Sequence, residues 1–276
     1  MQKINYGLII SDFDGTLVRE DGTISQKNKR AIKKYTQDGG HFAVSTGRLH
    51  YGILPRVKEL GLNGVVSCCQ GAVIIDIASG KPILDGKLSY ETTLRACLEM
   101  EKLGLHIHLY DFDCYYSNMD DQALKWYENA VRVKAKVVTD KPLSKLVEEQ
   151  KICAYKLMAM VAPEENAKII NTLSKTHYED ACITKSAEVL VEIINNKYSK
   201  GTAVQFLSDY YKVPLEKTVG IGDQMNDIPM IERAGLGVAV QNADDGLKQV
   251  ADLVCEYTNE EDAVASVIEK YGFMEK

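Results

Sequence analysis

Short apolar runs punctuate this chain, and each is closed by glycine, hydroxyl or charged residues. The runs 7–10, 42–44, 64–68, 218–222 and 236–240 are continuous rather than alternating, the pattern of strands buried on both faces. Between them the apolar positions recur at helical spacing. Ser25 is placed to cap a helix whose Ala31, Ile32 and Tyr35 share a face and which stops at Gly39-Gly40. A second helix starts near Ser199 and carries Ala203, Phe206, Leu207 and Tyr210. The dipeptide Asp21-Gly22 marks a tight turn and predicts a small hairpin flap over 18–24. Residues 73–77 read as a further strand with a hairpin at Ser79-Gly80-Lys81, and 253–254 and 259–271 as a last strand and closing helix.

From about Leu84 the pattern changes. A helix is expected over 90–103, with Gly104 as its stop, and a half-buried strand over 106–110 with a hairpin partner over 113–117. A helix follows over 121–133, then strands over 136–138 and 154–161 and a helix from Pro163 to about Lys175. Strands are expected at 182–184 and 189–194. His106 and His108 read as a satisfied pair on a sheet face, since no further ligand is evident for a metal. Asp111, Asp113, Asp120 and Asp121 lack the spacing of a calcium loop and read as a solvated turn. Trp126 and Tyr127 read as core.

Composition narrows the class. The 276 residues are 45% hydrophobic and 26% charged, as in a soluble globular protein. A net charge of −6 argues against a nucleic-acid partner. No apolar stretch is long enough to span a bilayer, and the N-terminus does not read as a signal peptide. The 7 cysteines are an odd number without metal-site spacing and read as free thiols in a reducing cytoplasm.

The candidate chemistry sits where strands end. Asp12 and Asp14 follow the first strand, with Gly15 to turn the backbone and Thr16 beside it. In extended chain they point to one side, and two such carboxylates need a cation, a shared proton or solvent. The second strand ends in Ser45-Thr46-Gly47-Arg48, a hydroxyl, a glycine and a cation suited to an anion, or else a helix cap followed by a surface arginine. Lys200 stands in the first turn of its helix, where the macrodipole disfavours a cation and an anionic partner is attractive. After 218–222 come Asp223, Asn226 and Asp227, three oxygen side chains within five positions, which suit a hard cation.

These four stretches, in this order, resemble the four motifs of the haloacid dehalogenase superfamily, and of its Cof-like phosphatases in particular. They are Asp12-Phe13-Asp14-Gly15-Thr16-Leu17, Thr46-Gly47-Arg48, Ser199-Lys200-Gly201 and Gly222-Asp223-Gln224-Met225-Asn226-Asp227. The likeness spans essentially the whole chain. It implies an α/β fold: a Rossmann-like parallel-sheet core over 1–83 and 188–276, with an inserted α/β cap over 84–187 that covers the active site and selects substrate. Tyr127 and Lys156 are cap candidates for that selection.

The resemblance implies a phosphatase for small phosphorylated metabolites, sugar phosphates first. In it Asp12 is the nucleophile and Asp14 the acid and base. Thr46, Gly47, Arg48, Lys200 and Asn226 would contact phosphate, with Lys197 a competitor of Lys200. Mg²⁺ would be held by Asp12, Asp14 through its backbone carbonyl, and Asp223, with Asn226 and Asp227 as ligands or outer partners. A phosphomutase and a non-catalytic phosphometabolite sensor are the alternatives. Two departures stand out: Gln70 where the branch has Asn before Gly-Ala, and Asp262-Ala263-Val264 where it has Asp-Gly-Val.

Overall fold

The computed structural model describes residues 2–274. The chain divides into two compact units: one runs to Leu84 and resumes at Tyr198, the other is Asp85–Lys197.

The first unit opens with β1 (Leu8–Ser11), α1 (Gln26–Gln37), β2 (His41–Val44), α2 (His50–Glu59), β3 (Val65–Cys68), β4 (Val73–Asp76) and β5 (Pro82–Asp85). Ser25 caps α1 as its position predicts, its hydroxyl accepting from the Asn28 N–H at 2.9 Å. The expected flap is a turn in which the Gly22 N–H bonds Arg19 O and the Arg19 N–H bonds Thr23 O. An isolated bridge joins Asp14 to Val18. Helix α2 has no counterpart in the sequence pattern, because Gly52 and Pro55 interrupt its apolar spacing.

The second unit holds α3 (Tyr90–Lys102), β6 (His106–Tyr110), β7 (Tyr115–Ser117), α4 (Gln122–Val131), β8 (Lys136–Val137), α5 (Leu143–Gln150), β9 (Lys156–Met160), α6 (Asn166–Leu173), β10 (Ala181–Ala187) and β11 (Leu190–Asn195). Its six strands lie in the order β10-β11-β9-β6-β7-β8. One face carries Ile107, Leu109, Leu157, Ala159, Val191 and Ile193, which pack with apolar side chains of α3, α5 and α6 into a core.

Here the boundary of the inserted unit is corrected. The sequence reading returns to the core at 188, before β11. That strand instead pairs antiparallel with both β10 and β9, well inside the second sheet. A strand hydrogen-bonded on both edges belongs to the unit of its partners, so the crossing falls at 197/198.

Two further expectations change in this unit. Strand β6 is buried at all five positions, not on alternate ones, because His106, His108 and Tyr110 meet Ser117, Tyr115 and Tyr127 on the polar face. Trp126 is 56% exposed, while its neighbour Tyr127 is buried. Adjacent helical positions point about 100° apart, so the two cannot share one core. Asp121 caps α4, and Lys156 pairs at 2.6 Å with buried Glu192.

The first unit resumes with α7 (Lys200–Tyr211), β12 (Thr218–Gly222), α8 (Ile228–Arg233), β13 (Leu236–Ala239), α9 (Asp245–Val250), β14 (Leu253–Val254) and α10 (Ala263–Tyr271). Its main sheet is wholly parallel in the order β14-β13-β12-β1-β2. Leu8, Ile10, Ala43, Val204, Leu207 and Met230 form core around it. Strand β1 is central, and its neighbours β12 and β2 run the same way, so the segments leaving all three emerge at one edge of the sheet. All seven cysteines are free. Among the described residues no helix is long and apolar enough to cross a membrane.

Candidate active site

Register brings the strand ends together. Ser11 lies opposite Ile221 on β12 and Val44 on β2, so Asp12 leaves the sheet between the segments that carry Asp223 and Thr46. The Asp12 N–H donates to Ile221 O at 2.8 Å and the Ser45 N–H to Ser11 O at 2.9 Å, which extends both ladders to the site.

Helix α7 supplies the cation. Its start is fixed by a capping box between Ser199 and Thr202, with Lys200 as the first helical residue. Lys200 is 1% exposed. Its Nζ donates to Asp12 Oδ1 and to Asp227 Oδ1, each at 2.5 Å. Lys197 instead gives its backbone N–H to Asn195 Oδ1. Asp227 is held from its other side, where Oδ2 accepts the N–H groups of Asp223 and Gln224 at 2.9 and 3.0 Å. Asp223 Oδ1 accepts from the Thr16 hydroxyl at 2.6 Å.

Asp12, Asp223 and Asp227, all buried, each offer an oxygen within 4.8 Å of the others'. Three carboxylates thus face one ammonium. Burial pushes the Asp12 carboxyl well above the usual range; Lys200 opposes this, and Asp227 and Asp223 add to it. Burial likewise pushes Asp223 up to about 6, against the Thr16 hydrogen bond and with Asp227 adding. Burial works against the charge of Lys200, but Asp12 and Asp227 outweigh it and hold its pKa above the ordinary lysine value. The protein alone leaves negative charge uncompensated here, and three clustered hard oxygens fit a divalent cation that would keep them ionised.

Asp14 lies apart from this cluster. Its two oxygens accept from Arg48 Nε and Nη2, both at 2.7 Å, a bidentate pair. Arg48 is therefore engaged with a motif carboxylate and is not the free surface residue of the capping alternative. Nor does Ser45 or Thr46 cap α2, whose N-cap is Leu49 without a side-chain bond. Thr46 is buried, and its hydroxyl oxygen accepts the Arg48 N–H at 3.1 Å.

Gly15 has φ +78°, and a Cβ there would overlap Asp223 Oδ2, so only glycine lets the turn pass so close. Asn226 donates from Nδ2 to Gln70 Oε1 at 3.1 Å. The sequence reading gives no role to three partners seen here: Thr16, Gln70, and Asn242, whose Nδ2 bonds Gly15 O at 2.8 Å. Thr16 was legible from its place in the first motif. The other two meet the site only through long-range folding.

The haloacid dehalogenase-like hydrolase family matches residues 9–268, and the chain belongs to it. Within that family it is a phosphatase. It is 30% identical over 275 residues to the Bacillus subtilis 5-amino-6-(5-phospho-D-ribitylamino)uracil phosphatase YitU, covering 96% of this chain and 97% of that one. It is 29% identical over 285 residues to Bacillus subtilis phosphatase YwpJ, covering 95% and 98%. Among solved structures, a haloacid dehalogenase-like hydrolase from B. subtilis superposes with a TM-score of 0.86 at 26% identity, covering 96% and 99%. A Thermotoga maritima protein superposes at 0.82 with 29% identity, covering 96% and 97%.

Proposed function

We propose that the protein hydrolyses small phosphorylated metabolites, sugar phosphates first among them, through an aspartyl-phosphate formed on Asp12. The observation that carries this is the Asp12 carboxylate at the end of the central strand, buried and oriented by Lys200. A nucleophile needs a fixed oxygen with a free lone pair, and only Oδ1 of Asp12 is bonded to Lys200.

In the first step an Asp12 oxygen attacks phosphorus and the leaving oxygen takes a proton from Asp14. In the second, Asp14 accepts a proton from water, which attacks the acyl phosphate and regenerates Asp12. The two Arg48 bonds occupy one lone pair on each Asp14 oxygen and so set where the carboxyl waits. Thr46, Gly47, Lys200 and Asn226 offset charge on the transferring group. Mg²⁺ is the proposed ion, held by Asp12, the Asp14 carbonyl and Asp223, and it would neutralise charge on the phosphoryl oxygens. Asp227, bonded through both oxygens to N–H donors, reads as the residue that places Lys200 and the 223–224 backbone.

The test is phosphate release from a panel of sugar phosphates, phosphorylated cofactors and the ribitylaminouracil phosphate named for YitU. Wild type is run with Mg²⁺ beside Asp12→Asn. Release by wild type and loss of at least about 10³-fold in the variant is the expected result. No release from any compound by metal-loaded wild type would overturn the proposed substrate range. Turnover that requires a sugar bisphosphate would indicate a mutase.

A further inference from the structure

Gln70 departs from the family pattern, and its surroundings are unusual. Cys69, Gln70 and Gly71 have φ of 49°, 58° and 94°, three consecutive left-handed residues. Left-handed backbone is unfavourable for Cys and Gln, so neighbours must hold this run in place. Two of them are visible. Gly71 lies so close to Ser199 O, one residue before Lys200, that a Cβ would overlap it. The Cys69 N–H donates to Arg48 O at 3.0 Å. The strained run therefore spans the segments that carry Arg48 and Lys200.

The side chain of Gln70 is buried and points at two more site segments. Its Nε2 lies beside Gly47, where a Cβ would stand 2.7 Å from it. Its Oε1 accepts from Asn226 Nδ2 at 3.1 Å. The other end of that Asn226 amide, Oδ1, is buried with no hydrogen-bond partner. A buried carbonyl oxygen without a donor is unfavourable unless something absent from the protein itself meets it. Because Oε1 can only accept, it dictates which end of Asn226 turns toward it, and so which end is left over.

We propose that Gln70 is a positioning residue for the divalent cation: it grips the amide end of Asn226 and leaves Oδ1 as an oxygen donor toward the ion, directly or through one of its waters. This rests on the reading of the carboxylate cluster as a Mg²⁺ site. The Gln70 side chain spans the distance to Asn226 from a left-handed backbone.

The test is calorimetric titration of Mg²⁺ into metal-free full-length protein, with hydrolysis of p-nitrophenyl phosphate measured against Mg²⁺ in parallel. Gln70→Ala and Gln70→Asn are expected to bind Mg²⁺ roughly tenfold more weakly. The Mg²⁺ needed for half-maximal rate should rise in step. Gln70→Glu keeps the acceptor oxygen and adds a negative charge near the ion, so it should bind Mg²⁺ at least as tightly as wild type. In an Asn226→Ala background, Gln70→Ala should add nothing.

Asn is better tolerated than Gln in left-handed backbone, so Gln70→Asn should keep or raise the melting temperature while losing metal affinity. A purely structural role would move both together. Gln70→Asn also carries the test if Gln70→Ala does not fold. Wild-type affinity in both Gln70→Ala and Gln70→Asn, or full additivity with Asn226→Ala, would overturn the proposal alone. A wild type that binds no divalent ion would overturn both this inference and the metal-site reading beneath it.

Discussion

Lys200→Met should destabilise the first unit by about 3–5 kcal/mol at pH 8 in EDTA, because it leaves buried carboxylates without their cation. The magnitude follows from the geometry. Nζ lies 2.5 Å from Asp12 Oδ1 and 2.5 Å from Asp227 Oδ1. At an effective dielectric of about 20, each contact is worth about 7 kcal/mol of gross Coulomb energy. Most of that is offset by the desolvation of three charged groups. The variant keeps the carboxylate part of that desolvation and loses the attraction. Methionine fills nearly the same volume, so a packing defect contributes little.

The pH dependence fixes the cause. The folded-state pKa of Asp12 already lies above the ordinary 3.8, and Lys200 is the main group lowering it. Without Lys200 it rises further. A carboxyl with a raised folded pKa contributes its full stability below the unfolded value and loses it as pH rises through the folded value. The gap between wild type and variant should therefore be small near pH 4 and widen toward pH 8. Urea denaturation followed by circular dichroism at both pH values measures it, and at pH 8 the melting point should fall by about 10 °C. A gap under about 1 kcal/mol at pH 8, or one that grows as pH falls, would refute the electrostatic account.

Three further outcomes follow from the same reasoning. Gly15→Ala forces a side chain into left-handed backbone and against Asp223, so a loss of about 1–3 kcal/mol in urea titration and a higher Mg²⁺ requirement are expected together. In the second unit, Lys156→Met strands buried Glu192 and should lower thermal stability by about 3–5 kcal/mol. The double change with Glu192→Leu should recover most of that loss. Burial, with His106 and Lys156 adding, pushes the His108 imidazole down to about 3, so the folded state holds it neutral. The unfolded chain takes up its proton first, and stability is lost as pH falls from about 6.5 toward 3, by about 2 kcal/mol at pH 5. His108→Gln should flatten that slope in urea midpoints measured between pH 7.5 and 5.

Much of this was legible in advance, for local reasons. The Ser25 and Ser199 caps depend on a hydroxyl at one position and N–H groups a turn away, so the sequence alone places them. Continuous apolar runs mark β1, β2, β3, β12 and β13, since only strands covered on both faces carry them. What escaped was set by partners distant in sequence. Strand β11 looks the same whichever sheet takes it, and only its pairing with β9 and β10 assigns it. Trp126 and Tyr127 differ by the face of α4 they occupy, which depends on where the sheet lies.

The site divides along the same line. The chain by itself determined which residues would stand at strand ends, because apolar run, carboxylate, glycine and hydroxyl follow one another within a few bonds. It also determined the family, since four such stretches recur in one order. Only the tertiary structure decided how those groups share their charges: Lys200 with Asp12 and Asp227, Arg48 with Asp14, Gln70 with Asn226. Those pairings join residues 27 to 188 positions apart. Hydrogen bonds and Coulomb attraction act over a few ångströms in space, whatever the separation along the chain, and no local pattern records which groups the sheet will bring within that range.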